Sequence, residues 1–310
     1  MIKVITYHYV KPTSDEFPHL KYLSVSMFQK QLDFFEKEYG FISKKSFELT
    51  LKKKQIVEPG VLLTFDDGLL DHYQWVYPEL LKRNLWGLFF ICTGHYQKKQ
   101  LLGVHRVHSL LGAIDSKQVF EETINLIQDH MLDHHHIKEY DKYIYKDQVN
   151  IDTFYAVKRL FNYFIKYEFR DKILDLFMHK YFNEQMLFDR YYMSADEIKE
   201  MKNYGMIFGC HGESHRVLNR LDNKVQENEI LGALDFLEKQ IGLDNHRIFC
   251  YPYGGPSSYN DYTLEILKNN NIECAFDFDV TNSRDISESE LKTNLYTLPR
   301  YDCNRFYDCL

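Results

Sequence analysis

Short apolar runs of strand length alternate along this chain with longer amphipathic stretches. Lys3 to Tyr9 reads as a first strand. Ser26 is placed to cap a helix whose inner face carries Met27, Leu32 and Phe35 and which stops near Gly40. Val61 to Phe65 is the next apolar strand. Tyr73, Val76, Leu80 and Leu81 then follow at helical spacing, and Trp86 to Ile91 forms another strand. This is β-α-β alternation.

From about Tyr96 to Arg190 the periodicity becomes helical and the composition rich in Lys and Tyr, with Phe161, Phe164, Ile165, Ile173, Leu174 and Phe177 as inner faces. Residues 96–190 therefore read as a helical insertion within a single domain covering 1–310. Alternation then resumes. Ser194 caps a helix through Met201, and strands at 206–209, 247–250 and 274–276 alternate with helices at about 224–241 and 262–270. Such repetition predicts a parallel barrel or a doubly wound sheet.

The bulk numbers narrow the function classes. A net charge of −7 over 310 residues, without a lysine-arginine stripe, argues against nucleic-acid binding. The 24 Tyr and 23 Phe would suit sugar stacking, although an aromatic core accounts for them equally simply. No apolar run approaches the roughly 18–20 residues that span a bilayer. The N-terminus lacks the pattern of a signal peptide, and the six cysteines form no CxxC pair, so a cytoplasmic protein with reduced thiols is expected. His134, His135 and His136 point in diverging directions on a helix and read as solvated surface.

In parallel α/β folds the chemistry gathers where strands end. Asp66 and Asp67 follow the strand at Val61, and two adjacent carboxylates at the rim of a core need a cation or a shared proton. They read as a metal ligand beside a general base. His211 and His215 follow another strand, and their spacing puts both imidazoles on one side of a helical turn. Alone, an HxxxH pair is more often structural. With a carboxylate it makes a three-ligand set that leaves room for water. Tyr251-Pro252-Tyr253-Gly254 follows a third strand.

The order Thr64-Phe65-Asp66-Asp67-Gly68, then His211 to His215, then Tyr251 to Gly254, with Leu298-Pro299-Arg300 late in the chain, resembles the polysaccharide deacetylases, carbohydrate esterase family 4. The resemblance implies an α/β fold: a distorted, seven-stranded (β/α) barrel of the NodB-like type, here with a mostly helical insertion. It also implies that Asp67, His211 and His215 hold a divalent metal, with zinc the expected ion. Asp66 would be the general base and the backbone N–H of Tyr253 the oxyanion donor.

Three positions depart from the family pattern. Gly212 stands where Ser or Thr is usual. Cys250 or Tyr251 replaces the arginine that pairs with the base, which leaves Arg300 as a candidate for that pairing. The late segment has no histidine after Leu298, which leaves the general acid unassigned; His8 is the first candidate, with His105 and His108 behind it, and metal-bound water could deliver the proton with no histidine required. The implied activity is metal-dependent removal of N-acetyl groups from a sugar, glycan or glycan precursor in cell-surface polysaccharide biosynthesis, including lipid-linked substrates at a membrane face. Hydrolysis of a cyclic amide or formyl-amino sugar, or sugar binding without turnover, are the alternatives.

Overall fold

The structure, a computed structural model, describes residues 1–13, 16–134, 137, 153–243 and 246–307. His135, His136 and Cys309 lie outside the described residues. Seven strands form one sheet: β1 (Ile2–Tyr7), β2 (Gly60–Phe65), β3 (Leu88–Ile91), β4 (Ile207–Cys210), β5 (Ile248–Cys250), β6 (Cys274–Phe276) and β7 (Tyr301–Asp302). Their spatial order is β6-β5-β4-β3-β2-β1-β7, and every pairing is parallel. This curled sheet with surrounding helices is the distorted (β/α) barrel that the motifs implied.

Strands β2, β3 and β4 are buried on both faces, which is why they read as nearly continuous apolar runs. On the outer face Tyr7, Phe65, Phe89 and Phe208 stack in a ladder across four neighbouring strands, with Phe65 and Phe89 rings 4.6 Å apart. Helices Val25–Glu38, Ala195–Asn203 and Ala233–Ile241 cover that ladder through Phe28, Met201 and Leu237. The inner face carries Val4, Leu62, Leu88, Phe90, Ile248 and Phe276. Much of the aromatic excess is therefore core.

The barrel is closed by one segment. Leu298 exchanges backbone hydrogen bonds with β6, its N–H donating to Ala275 and its carbonyl accepting from Asp277, and three residues later Tyr301 pairs with Ile5 of β1. Pro299 lacks an N–H and sits where the chain leaves one partner for the other. Arg300 is thus carried in the seam.

Local details differ from the sequence expectations in two places. Ser24, not Ser26, caps the first helix, accepting from the N–H of Met27. Leu81 is 40% exposed because its helix opens with a π turn, His72–Val76, that rotates the face before Tyr77–Lys82 continues. Between β3 and β4 the described chain is mainly helical, with its own cluster around Val107, Leu110, Val157, Phe161, Leu174 and Phe177. Phe164 is only partly buried and packs instead toward Val217.

Candidate active site

Inward-facing positions at the carboxyl end of the barrel change from apolar to polar. Thr6 and His8 extend β1, and Thr64 and Asp66 extend β2, with Thr6 and Thr64 in register. Gly209 leaves space there, since a Cβ on it would meet Phe90 and the Ile248 carbonyl at 2.8 Å. Arg300, 1% exposed, fills the interior and donates from Nη1 and Nη2 to the two Asp66 oxygens at 2.8 Å each. It also donates to Thr6 Oγ1 at 2.9 Å and approaches Cys250 Sγ at 3.0 Å. The small Cys250 side chain leaves room for a guanidinium arriving from the seam.

Burial alone would raise the Asp66 carboxyl. Arg300, followed by His211 and His8, outweighs it and holds the group at about 2. Asp66 is therefore ionised at any physiological pH. A bidentate guanidinium does not exhaust a carboxylate, whose two oxygens offer about four acceptor sites.

Asp67 breaks the alternation. Its φ of 80° and that of Gly68, 71°, turn the chain sharply after β2, and Asp tolerates this region better than most residues. Its Oδ1 lies 3.3 Å from His215 Nε2 and 3.5 Å from His211 Nε2, and all three residues are buried. The histidines stand on a loop and not on the helical turn expected of their spacing. Gly212 at φ +77° and His215 at φ +53° are left-handed, which folds the two rings to 4.9 Å from each other. The same φ explains Gly212, where a Ser or Thr would be strained.

These residues fit a cation. His211 Nδ1 donates to the Cys250 carbonyl at 2.8 Å, and burial pushes its pKa down to about 4. The neutral ring therefore turns its Nε2 lone pair toward a carboxylate oxygen with no proton between them. Oδ1 of Asp67 has no hydrogen-bond partner among the described residues. Ligand atoms about 2.1 Å from a tetrahedral ion stand roughly 3.4 Å apart, close to the spacing found. A second grouping, Asp66, His211 and Cys250, fits less well. Burial raises the Cys250 thiol, so the thiolate a metal prefers is disfavoured.

Surrounding residues hold the loops in place. Glu229, from the helical stretch after the histidine loop, accepts from the N–H of Glu213 and Ser214 and from the Ser214 hydroxyl. Asp277, following β6, accepts from the N–H of Gly255 at 2.7 Å and the Tyr259 hydroxyl at 3.1 Å. That anchors the turn in which Tyr253, Gly254 and Gly255 all have positive φ. The Tyr253 ring lies 4.8 Å from that of His215, which brings the third motif to the second.

The His8 side chain is 41% exposed, with Nε2 3.7 Å from Asp66 Oδ2, and a hydrogen bond of 2.8 Å joins its carbonyl to His72 Nε2. His108 is turned away, bonded to Tyr9 at 2.9 Å, and the fully buried His105 lies behind Asp67. The sequence reading did not single out Glu229, Asp277 or Tyr192, whose hydroxyl lies 2.6 Å from His105 Nδ1. Each is an ordinary polar or aromatic residue in its local pattern, and nothing in that pattern marks it.

Fold and donor set together define a parallel (β/α) barrel with an aspartate–histidine centre at the carboxyl ends of its strands. The polysaccharide deacetylase family model matches residues 146–275, a span that contains His211, His215 and the third motif but not Asp66 or Asp67. Among solved structures, the Streptococcus pyogenes deacetylase PplD in complex with acetate superposes with a TM-score of 0.58 at 19% identity, covering 97% of this chain and 91% of its own. IcaB from Ammonifex degensii gives 0.55 at 18%, covering 99% and 94%. A de-N-acetylase from Aggregatibacter actinomycetemcomitans gives 0.54 at 13%, covering 97% and 95%. These share the fold with this chain. No curated protein matches the sequence.

Proposed function

We propose that this chain is a metal-dependent hydrolase that removes N-acetyl groups from a sugar, glycan or glycan precursor. The observation that carries the reading is the convergence of Asp67, His211 and His215 beside an Asp66 held ionised by Arg300. The matched family and the acetate complex of one structural relative support the same chemistry.

A divalent ion, zinc by preference for this donor set, polarises an amide carbonyl and lowers the pKa of water when bound. The protein's own groups supply the rest. Asp66 accepts the proton of the attacking water as the new C–O bond forms. The backbone N–H of Tyr253 donates to the oxygen on which charge develops. His8, on the open side of Asp66, gives a proton to the nitrogen as the C–N bond breaks, leaving a free amine and acetate.

The test is metal content together with acetate release from N-acetylated sugars, nucleotide sugars and short oligosaccharides. Asp67→Ala and His215→Ala should lose metal and turnover together. Asp66→Asn should keep metal while turnover falls by about 10²- to 10⁴-fold, as for a lost general base. Metal loss in Asp66→Asn equal to that in Asp67→Ala would reverse the assignment of the two carboxylates. A wild-type protein that takes up no divalent ion would remove the reading altogether.

A further inference from the structure

Asp67 is held on the side away from the two histidines. Its Oδ2 lies 3.2 Å from His105 Nε2, and His105 Nδ1 lies 2.6 Å from the Tyr192 hydroxyl. That hydroxyl accepts from the backbone N–H of Leu102 at 2.9 Å. All three side chains are buried: Asp67 and His105 at 2% and 0% exposure, Tyr192 at 7%.

With His105 neutral, the donors and acceptors admit one consistent direction. Leu102 N–H occupies an acceptor site on the Tyr192 oxygen, and the hydroxyl proton is then free to bond His105 Nδ1. A neutral imidazole so bonded carries its own proton on Nε2 and donates to Asp67 Oδ2. Oδ1 is left facing His211 and His215. The Tyr192 ring is itself fixed, stacked on His95 with centroids 3.8 Å apart and planes 14° from parallel.

The backbone is tied at the same place. Leu69 and Tyr192 form an antiparallel bridge, Leu70 N–H donates to the Tyr191 carbonyl at 2.9 Å, and Met193 N–H donates to the Gly68 carbonyl at 3.0 Å. The residues that follow Asp67 are thus zipped to the end of the long β3–β4 connection. His105 comes from its beginning, on the helix Gly103–Ala113.

We infer that His105 and Tyr192 are positioning residues for Asp67, fixing the rotation of its carboxylate so that Oδ1 is presented to a divalent cation, and that the β3–β4 helical connection is a built part of the metal centre. His105 is not among the residues whose donor atoms converge on the cation position, so its action passes through Asp67. The inference rests on the metal reading of Asp67, His211 and His215. Partners of this kind orient a ligand and raise its basicity, and removing them typically weakens metal binding about 10- to 100-fold.

The experiment measures Co²⁺ binding by chelator competition, and the visible spectrum of the Co²⁺-loaded protein, for wild type, His105→Leu, His105→Gln and Tyr192→Phe. His105→Leu should bind Co²⁺ about 10- to 100-fold more weakly. Tyr192→Phe should weaken it in the same direction and alter the spectrum, because the imidazole proton is no longer directed to Nε2. His105→Gln should restore most of the affinity, since its amide N–H can donate to Oδ2. Equal affinities and spectra in wild type, His105→Leu and Tyr192→Phe overturn the positioning role and leave the metal centre standing. Should His105→Leu fail to fold, Tyr192→Phe, which removes a single oxygen, decides alone. Absence of Co²⁺ uptake by the wild type overturns the metal reading and this inference with it.

Discussion

Replacing Arg300 by Met tests the central electrostatic arrangement, because it removes the guanidinium and keeps an unbranched side chain in the barrel interior. Asp66 is 2% exposed, and its pKa falls from an ordinary 3.8 to about 2 with Arg300 in place. At about 1.4 kcal/mol per pH unit this difference contributes roughly 2.5 kcal/mol of stability. The sign follows from the depression. The contribution is complete above 3.8 and is lost as pH falls through 3.8 toward 2.

Without Arg300 the carboxylate keeps only the Thr6 hydroxyl at 3.2 Å as its closest strong donor, and burial then raises its pKa above the ordinary value. The contribution reverses, so the variant becomes less stable as pH rises. Breaking a buried pair in this way costs about 3–5 kcal/mol near neutrality, and the deficit should shrink in acid, where Asp66 in the variant is protonated. Denaturant unfolding of chelator-treated wild type and Arg300→Met between about pH 4 and pH 8 reads both quantities. A deficit independent of pH, or one below about 1 kcal/mol near neutrality, would refute the argument.

Two further predictions concern neighbouring segments. Burial pushes Asp71 up to about 6 against the opposing effect of Lys11, 3.9 Å away, so this group favours folding below 3.8 and ceases to do so as pH rises through 6. Asp71→Asn should flatten that limb and stabilise the protein by about 1–3 kcal/mol near pH 8 in thermal unfolding; a less stable variant there would count against it. At Gly254, φ is +72° and a Cβ would lie 2.3 Å from the Phe278 carbonyl oxygen, whereas at Gly255, φ +78°, a Cβ meets nothing within 4 Å. Gly254→Ala should therefore cost about 3 kcal/mol or more and displace the turn carrying Tyr253, while Gly255→Ala should cost only about 1–2 kcal/mol, the left-handed penalty. Equal losses in unfolding experiments would show that the turn is not clamped against Phe278.

Much of the fold was legible because strand burial and helix periodicity are local properties. The strand Cys274–Phe276 has the bounds its apolar run predicts, and Ser194 caps its helix with Glu197 completing a capping box. The misplaced cap at Ser26 and the outward Leu81 mark the limit, since a two-residue shift or a π turn changes which face is buried without changing composition. The HxxxH spacing misled in the same way. Left-handed residues at 212 and 215 bring the rings together without a helix.

By itself the sequence determined which chemistry was present: two adjacent carboxylates and two histidines at the ends of apolar strands, in an order that one family shares. Only the tertiary structure decided how those groups are held. The family order had offered Arg300 as the partner of Asp66, and the closing of the barrel at its seam brings it there across 234 residues with both nitrogens in reach; His105 reaches Asp67 across 38 because the connection that contains it folds back onto the loop after β2. Periodicity records which way a side chain faces its own element. It carries no signal for which distant side chain will meet it there, because that is set by how strands curl and loops return when the core packs.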